Sequence, residues 1–325
     1  MMAKFIYSFS IIFLGLLSGY GVQILVQRGR LNLPVPIDEL RKLLQKTALL
    51  FINPIAIVGA IWVASIQDVR LAALPFNGLF ALISGGILAL IAARLLRLEP
   101  RKTGAMFCCG SFTNIGSIGA LICFIFLGET GFALVPIYKL FEELSYYAVG
   151  FPIAKYYSIG GKDERITQRL KGLVKDPFII VALSSIILGG LLNISAVNRP
   201  VAFKSIVAVC VPLGTVLLLA SIGMALKFRR VQDYIKECMA VSIIKFLLVP
   251  VLTVSLAYLI GFDTIDNGLP LKVIFILSAM PVAFNALIPP SIYDLDIDLA
   301  NSCWFFTTAM LVVVLPLLLL VLSFL

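Results

Sequence analysis

Stretches of about 20 residues without a charge, almost wholly apolar, follow one another along this chain, and that is the length a helix needs to cross a hydrocarbon core. Of 325 residues, 61% are apolar and 13% charged, against about one half and one quarter in an ordinary soluble domain. The pattern predicts an all-α polytopic membrane protein and excludes a water-soluble enzyme. The formal charge of +9 has a use at a membrane surface, where lysine and arginine set orientation and meet anionic headgroups. It calls for no nucleic acid. The chain has no histidine, so the commonest metal ligand and the usual general base near neutral pH are missing. Its six cysteines, Cys108, Cys109, Cys123, Cys210, Cys238 and Cys303, form no CxxC pair and sit mostly inside apolar stretches, as small buried hydrophobes do. No nucleophile-base pair or glycine-rich phosphate loop is legible. Neither an enzyme, a metal nor a cofactor is expected.

Hydropathy places spans at roughly 5 to 26, 47 to 66, 74 to 96, 104 to 127, 132 to 154, 177 to 194, 204 to 226, 239 to 260, 270 to 291 and 299 to 324, ten helices in all. The first begins behind Lys4 like a secretory signal, but it runs past Tyr20 and Gly21 into Val26 without an A-x-A site, and it reads as a real span. Basic residues are retained on the cytoplasmic side. They crowd the loops after spans 1 (Arg28, Arg30, Arg41, Lys42, Lys46), 3 (Arg94, Arg97, Arg101, Lys102), 5 (Lys155, Lys162, Arg165, Arg169, Lys171, Lys175) and 7 (Lys227, Arg229, Arg230, Lys236). The opposite side holds Lys4, Arg70, Arg199, Lys204 and Lys272. Both termini are therefore expected outside a plasma or inner membrane. The acidic loop Asp294, Asp296, Asp298 falls inside, and Glu129 is expected to be a solvated outer turn residue.

The longest polar interval, about 156 to 176, divides the chain into a first five-helix repeat at 1-155, a cytoplasmic linker at 156-176 and a second repeat at 177-325. Units with an odd number of spans insert with opposite topology, so a duplicated five-helix unit gives two inverted repeats, the layout of many secondary transporters. Matching positions carry matching interruptions. Span 2 has Asn53-Pro54 and span 7 has Pro212-Leu213-Gly214; span 4 has Ser111-Phe112-Thr113-Asn114-Ile115-Gly116 and span 9 has Pro281-Val282-Ala283-Phe284-Asn285-Ala286. Freed backbone groups are tolerated at membrane depth only against protein or water, and paired broken helices point to a midplane site. The second break is expected near Phe284 to Ala286, bracketed by Pro281, Pro289 and Pro290. Crossing half-helices would then aim positive dipole ends at an anion. Asn114 and Asn285 are matched across the halves as its orienting groups, whereas Gly15, Gly19, Ser84, Gly85 and Gly86 read as close-packing residues.

Ionisable groups inside spans are costly unless paired or hydrated. Lys139, Glu142 and Glu143 share a helical face in span 5, and Lys245 lies in span 8. Two readings stand beside each other: an internal ion-pair lock in which Lys245 answers the second acid, and a proton-coupling carboxylate. Snorkelling is a third. Asn53, Pro54 and Pro212 are either simple kinks or cavity-lining positions.

The stretch from Arg101 through Glu129, with its S-x-x-N-x-G run at Ser111 to Gly116 and its Gly-Glu turn, resembles the fourth-helix signature of the auxin efflux carrier family. Ala279 to Asp298, with an A-x-P opening, a tyrosine and a short acidic loop, is similar to that family's ninth helix. The resemblance covers nearly the whole chain and implies a compact bacterial-type secondary carrier of small organic anions, such as malate, malonate or auxin-like acids. It further implies a crossover of helices 4 and 9, a scaffold with a moving transport domain, an elevator-like shift and a possible homodimer. Carried over, the crossover falls on Thr113, Asn114 and Ile115 and on Phe284, Asn285 and Ala286. Span 5 departs from the family by reading Lys139-Leu140-Phe141-Glu142-Glu143 where a Phe-Asn pair is common. Proton or sodium could then be the coupling ion. A sodium-coupled symporter of the bile-acid type is similar in architecture and stands as the alternative, with a non-transporting receptor or scaffold behind it.

Overall fold

The computed structural model of the protein describes residues 2–64, 68–158, 175–195, 197–226 and 231–325. Most of the linker expected at 156-176, with its Lys162, Arg165, Arg169 and Lys171, and Lys227, Arg229 and Arg230 of the loop after span 7 lie outside the described residues. The described elements are helices: α1 Met2–Gln27, α2 Ile37–Thr47, α3 Asn53–Trp62, α4 Leu74–Leu95, α5 Pro100–Ser111, α6 Ala120–Tyr138, α7 Glu142–Ser145, α8 Phe151–Tyr156, α9 Pro177–Ile194, α10 Ala202–Gly223, α11 Ile235–Ile243, α12 Val249–Ile260, α13 Leu269–Ser278, α14 Ile288–Ile292, α15 Ile297–Ala309 and α16 Leu311–Leu322. Side chains such as Leu14, Ile91, Ile187 and Leu317 stay exposed along them, as lipid-facing positions should. The chain is a multi-pass helical membrane protein.

Helix length and composition do not show the expected ten spans. Among the described residues, seven helical stretches are long and apolar enough to cross a membrane, and the pair Ile297–Ala309 with Leu311–Leu322, bent by 49°, makes an eighth. One of the seven, Ile115–Tyr156, is 42 residues long. It is kinked at Gly128, whose φ of 79° and ψ of −165° interrupt α6, a conformation open to glycine for want of a Cβ. The expected ninth span is divided between α13 and α14, neither long enough to cross alone.

The chain forms two compact units. The first takes Met1–Ile66, Gly116–Pro136 and Lys175–Lys227. Here α1 packs on α10 through small residues: a Cβ on Gly15 would meet Leu219, and one on Gly19 would strike the Ala220 backbone. Asn193 Nδ2 donates to the carbonyls of Ile61, Trp62 and Ala64 at 3.0, 3.0 and 2.8 Å. These carbonyls lie at the C-terminal end of α3, where the helix's own N–H donors run out. Arg199 holds Glu129 in a two-pronged ion pair and donates to the Gly59 carbonyl at 2.8 Å. Glu129 is thus a paired residue and not a solvated one; 70 residues separate it from its cation, a distance in sequence that hydropathy does not see.

The second unit takes Gln67–Ile115, Ile137–Val174 and Phe228–Leu325. Its centre is the contact of α4 with α5, where a Cβ on Gly85 would strike the Gly110 carbonyl and one on Gly110 would overlap Ala89. Only backbones this bare let two helices approach so closely. Replacing Gly110 with valine should overpack that contact and lower stability by about 3 kcal/mol, read as a fall in the unfolding temperature in detergent, whereas Gly190→Ala, into open space, should leave it nearly unchanged. The acidic loop is structural. Asp296 caps α15 at Leu299 N, 2.9 Å away, and accepts from the Tyr234 hydroxyl, while Asp294 pairs with Arg101 at 2.9 Å.

Candidate functional site

Within the second unit, two broken helices meet. α5 ends at Ser111, whose hydroxyl donates to the Leu82 carbonyl of α4 at 3.0 Å. α13 ends at Ser278, because Pro281 has no N–H and its ring clashes with the carbonyl four residues earlier. The opening therefore covers 279 to 283, ahead of its expected place; Phe284–Leu287 is already a 3₁₀ turn. Across the gap the two extended segments pair antiparallel at Thr113 and Val282. Asn114 N–H donates to the Pro281 carbonyl at 2.9 Å, and Ala283 N–H donates to the Phe112 carbonyl at 3.0 Å. These bonds satisfy backbone groups that the broken helices release.

The reciprocal pair has a local two-fold character, and its register corrects the expected match. Thr113 faces Val282, so Asn114 corresponds to Ala283, and Asn285 lies two residues beyond. Asn114 is buried and Asn285 exposed. Among the other expected binding residues, Ile115, Pro281 and Ala286 are buried and Phe284 is half-buried. Phe284 meets Trp304 edge-on at 6.0 Å, and Thr307 Oγ1 accepts from Val282 N–H at 3.2 Å, so α15 braces the second break. Gly116, Asn53, Pro54 and Pro212 belong to the first unit, in which Asn53 lies against Gly214.

The ionisable residues of spans 5 and 8 converge on Thr113. Lys245, 1% exposed, donates from Nζ to Thr113 Oγ1 at 2.6 Å. Glu142, 6% exposed, accepts from the Tyr146 hydroxyl at 2.7 Å on Oε1 and pairs with Lys139 at 3.1 Å on Oε2. The Tyr146 hydroxyl also lies 3.4 Å from the Thr113 carbonyl. Lys245 thus serves the crossover directly while feeling the Glu142 charge, and Glu142 is paired with Lys139 within its own segment. Glu143, half-buried beside it, adds to the charge around Lys139.

Two signals escaped the hydropathy reading. Tyr146 follows Glu142 by four residues, a spacing that puts both on one helical face. Tyr146 also opens the π-helical turn Tyr146–Gly150, and Lys245 sits in another, Ile244–Leu248. A π-turn rotates the side chains that follow it relative to a regular helix, and such turns recur at functional sites.

No protein-family model matches the sequence. Two archaeal proteins are similar to it, both named uncharacterized transporters. One, from Methanothermobacter thermautotrophicus, is 25% identical over 232 residues, covering 71% of this chain and 72% of its own. The other, from Methanocaldococcus jannaschii, is 28% identical over 264 residues, covering 78% and 80%. The chain is thus similar over most of its length to proteins whose names state transport and no substrate.

Proposed function

We propose that this protein is a secondary carrier of small organic anions, of the auxin-efflux-carrier type, with its substrate held at the crossover. The observation that carries the reading is the Thr113–Val282 pairing of two broken helices, with a buried amine and a buried carboxylate within two hydrogen bonds of it. Such breaks are tolerated where they serve a site. The names of the two archaeal relatives support transport. In this reading the chain crosses the bilayer ten times, the 42-residue stretch supplying two crossings, and its halves are inverted repeats, to which the local two-fold of the bridge lends support. Both termini then lie outside, and the unit that holds the crossover shifts as a body in an elevator cycle. Asn114 orients the carboxylate, and the first turn after the second break, at Phe284 and Asn285, offers it backbone N–H groups. The Lys245 amine at Thr113 supports proton coupling over a resident sodium ion.

Thermal unfolding of the detergent-purified protein against mono- and dicarboxylates, at acidic and neutral pH and with or without sodium, tests this reading. A ligand at about 100 times its Kd should stabilise the folded state by about 2.7 kcal/mol. We expect a sodium-independent shift with a carboxylate that disappears in Asn114→Leu. A shift that requires sodium would move the assignment to a bile-acid-type symporter, and no shift with any carboxylate would overturn the anion reading.

A further inference from the structure

We infer that the Trp304 indole N–H is a substrate-binding group, which donates to a carboxylate oxygen of the anion held beside the second break. The inference rests on the carrier reading and adds a contact which that reading does not contain. Trp304 is 2% exposed, and among the described residues its Nε1 has no hydrogen-bond partner. The other tryptophan of the chain shows the ordinary arrangement, with Trp62 Nε1 donating to the Val197 carbonyl at 2.9 Å. An indole nitrogen can only donate, and a buried donor without an acceptor gives up its hydration with nothing in return. Such exceptions are rare in folded proteins, and each calls for a role.

The position of Trp304 supplies that role. α15 runs beside the second break: Thr307 Oγ1 accepts the Val282 N–H at 3.2 Å and stands 3.2 Å from the Trp304 carbonyl one turn earlier. The indole is thereby fixed within a helical turn of the contact that braces the extended segment. Its ring meets Phe284 edge-on, at 89° and 6.0 Å between centroids. Phe284 opens the 3₁₀ turn that follows the break and is only half-buried, so one of the groups packed on the indole is itself partly open. Rotation of the Phe284 side chain is the small motion that admits a ligand oxygen to Nε1.

The chemistry fits an anion that must be released as well as held. A neutral N–H gives a carboxylate a directional, charge-assisted bond without adding a fixed charge to the site. α15 and α16 carry no lysine or arginine, and the buried Lys245 amine stands on the other broken segment, at Thr113. The crossover thus offers a cation beside the first break and an uncharged donor beside the second.

The two tryptophans of the chain give two indole N–H signals in a nitrogen-edited NMR spectrum of the full-length protein labelled at tryptophan, and Trp62→Phe assigns them. Acetate, malonate and malate serve as probes. The Trp304 proton signal is expected to move downfield as a carboxylate binds, whereas the Trp62 signal, already bonded to Val197, stays in place. Trp304→Phe, which keeps an aromatic ring against Phe284, should weaken carboxylate binding by about ten- to a hundredfold, the loss of one hydrogen bond to a charged acceptor. A carboxylate that raises the unfolding temperature while the Trp304 signal stays unmoved overturns the inference and spares the carrier reading. Unchanged affinity in Trp304→Phe does the same, as does a Trp304 proton that exchanges magnetisation with a bound water before any carboxylate is added. If no carboxylate binds, the carrier reading falls and takes this inference with it.

Discussion

Thr113→Val is expected to destabilise the protein by about 3 kcal/mol, the upper end for a buried donor stripped of its acceptor. Valine matches threonine in shape and suits the extended backbone that pairs with Val282, so packing at the bridge is preserved. What is lost is the hydroxyl that accepts from Lys245 Nζ at 2.6 Å. Among the described residues no other acceptor lies within hydrogen-bonding distance of that amine, and at 1% exposure water cannot replace it. The companion change, Lys245→Met, removes the donor, keeps most of the volume, and should cost about 1 kcal/mol. Adding Thr113→Val to Lys245→Met should then cost less than about 1 kcal/mol, because no orphaned donor remains. A double-mutant cycle on unfolding in detergent reads the difference directly. Additive effects would show that the contact does not couple the two residues, and transport should fall in both single variants.

The second large effect is expected in the other unit. Arg199 and Glu129 have side-chain exposures of 11% and 16%, so each depends on its partner to offset desolvation. Removing only one leaves a nearly buried charge uncompensated, at a cost of about 3–5 kcal/mol. Arg199→Leu should lie at the high end, since the Gly59 carbonyl also loses its donor at 2.8 Å. Replacing both residues with leucine should be far milder than the sum, because a buried pair exchanged for apolar groups is often neutral. Unfolding temperatures of the three variants decide the matter. Near-equal, small shifts in all three would show that water already screens the pair.

Much of the site was legible in advance because its causes are local. Pro281 ends a helix wherever it falls in one, and the run from Ser111 to Gly116 concentrates residues that a lipid-facing helix does not use. The position of the second break was misjudged for an equally local reason: a proline disrupts the turn before it, so the opening runs from 279 to 283 and not through Phe284 to Ala286. The match of Asn114 with Asn285 is of another kind. It compared side chains, whereas the crossover is joined by N–H and carbonyl groups that every residue except proline carries. Register between two such segments has no side-chain signature, and here it sets Asn114 opposite Pro281.

Composition and hydropathy period decided the class of this protein, a helical chain built to lie in a bilayer, and they marked the two helices that break. Both follow from forces that act within one turn or one span: solvation of the backbone, the missing N–H of proline, and the length of a membrane-crossing helix. Tertiary structure alone decided which charges meet. Lys245 reaches Thr113 across 132 residues and Arg199 reaches Glu129 across 70, while Lys139 and Glu142 pair three residues apart. Only the last is a neighbour by helical spacing. A buried amine or carboxylate requires a partner, but the path of the chain selects which one.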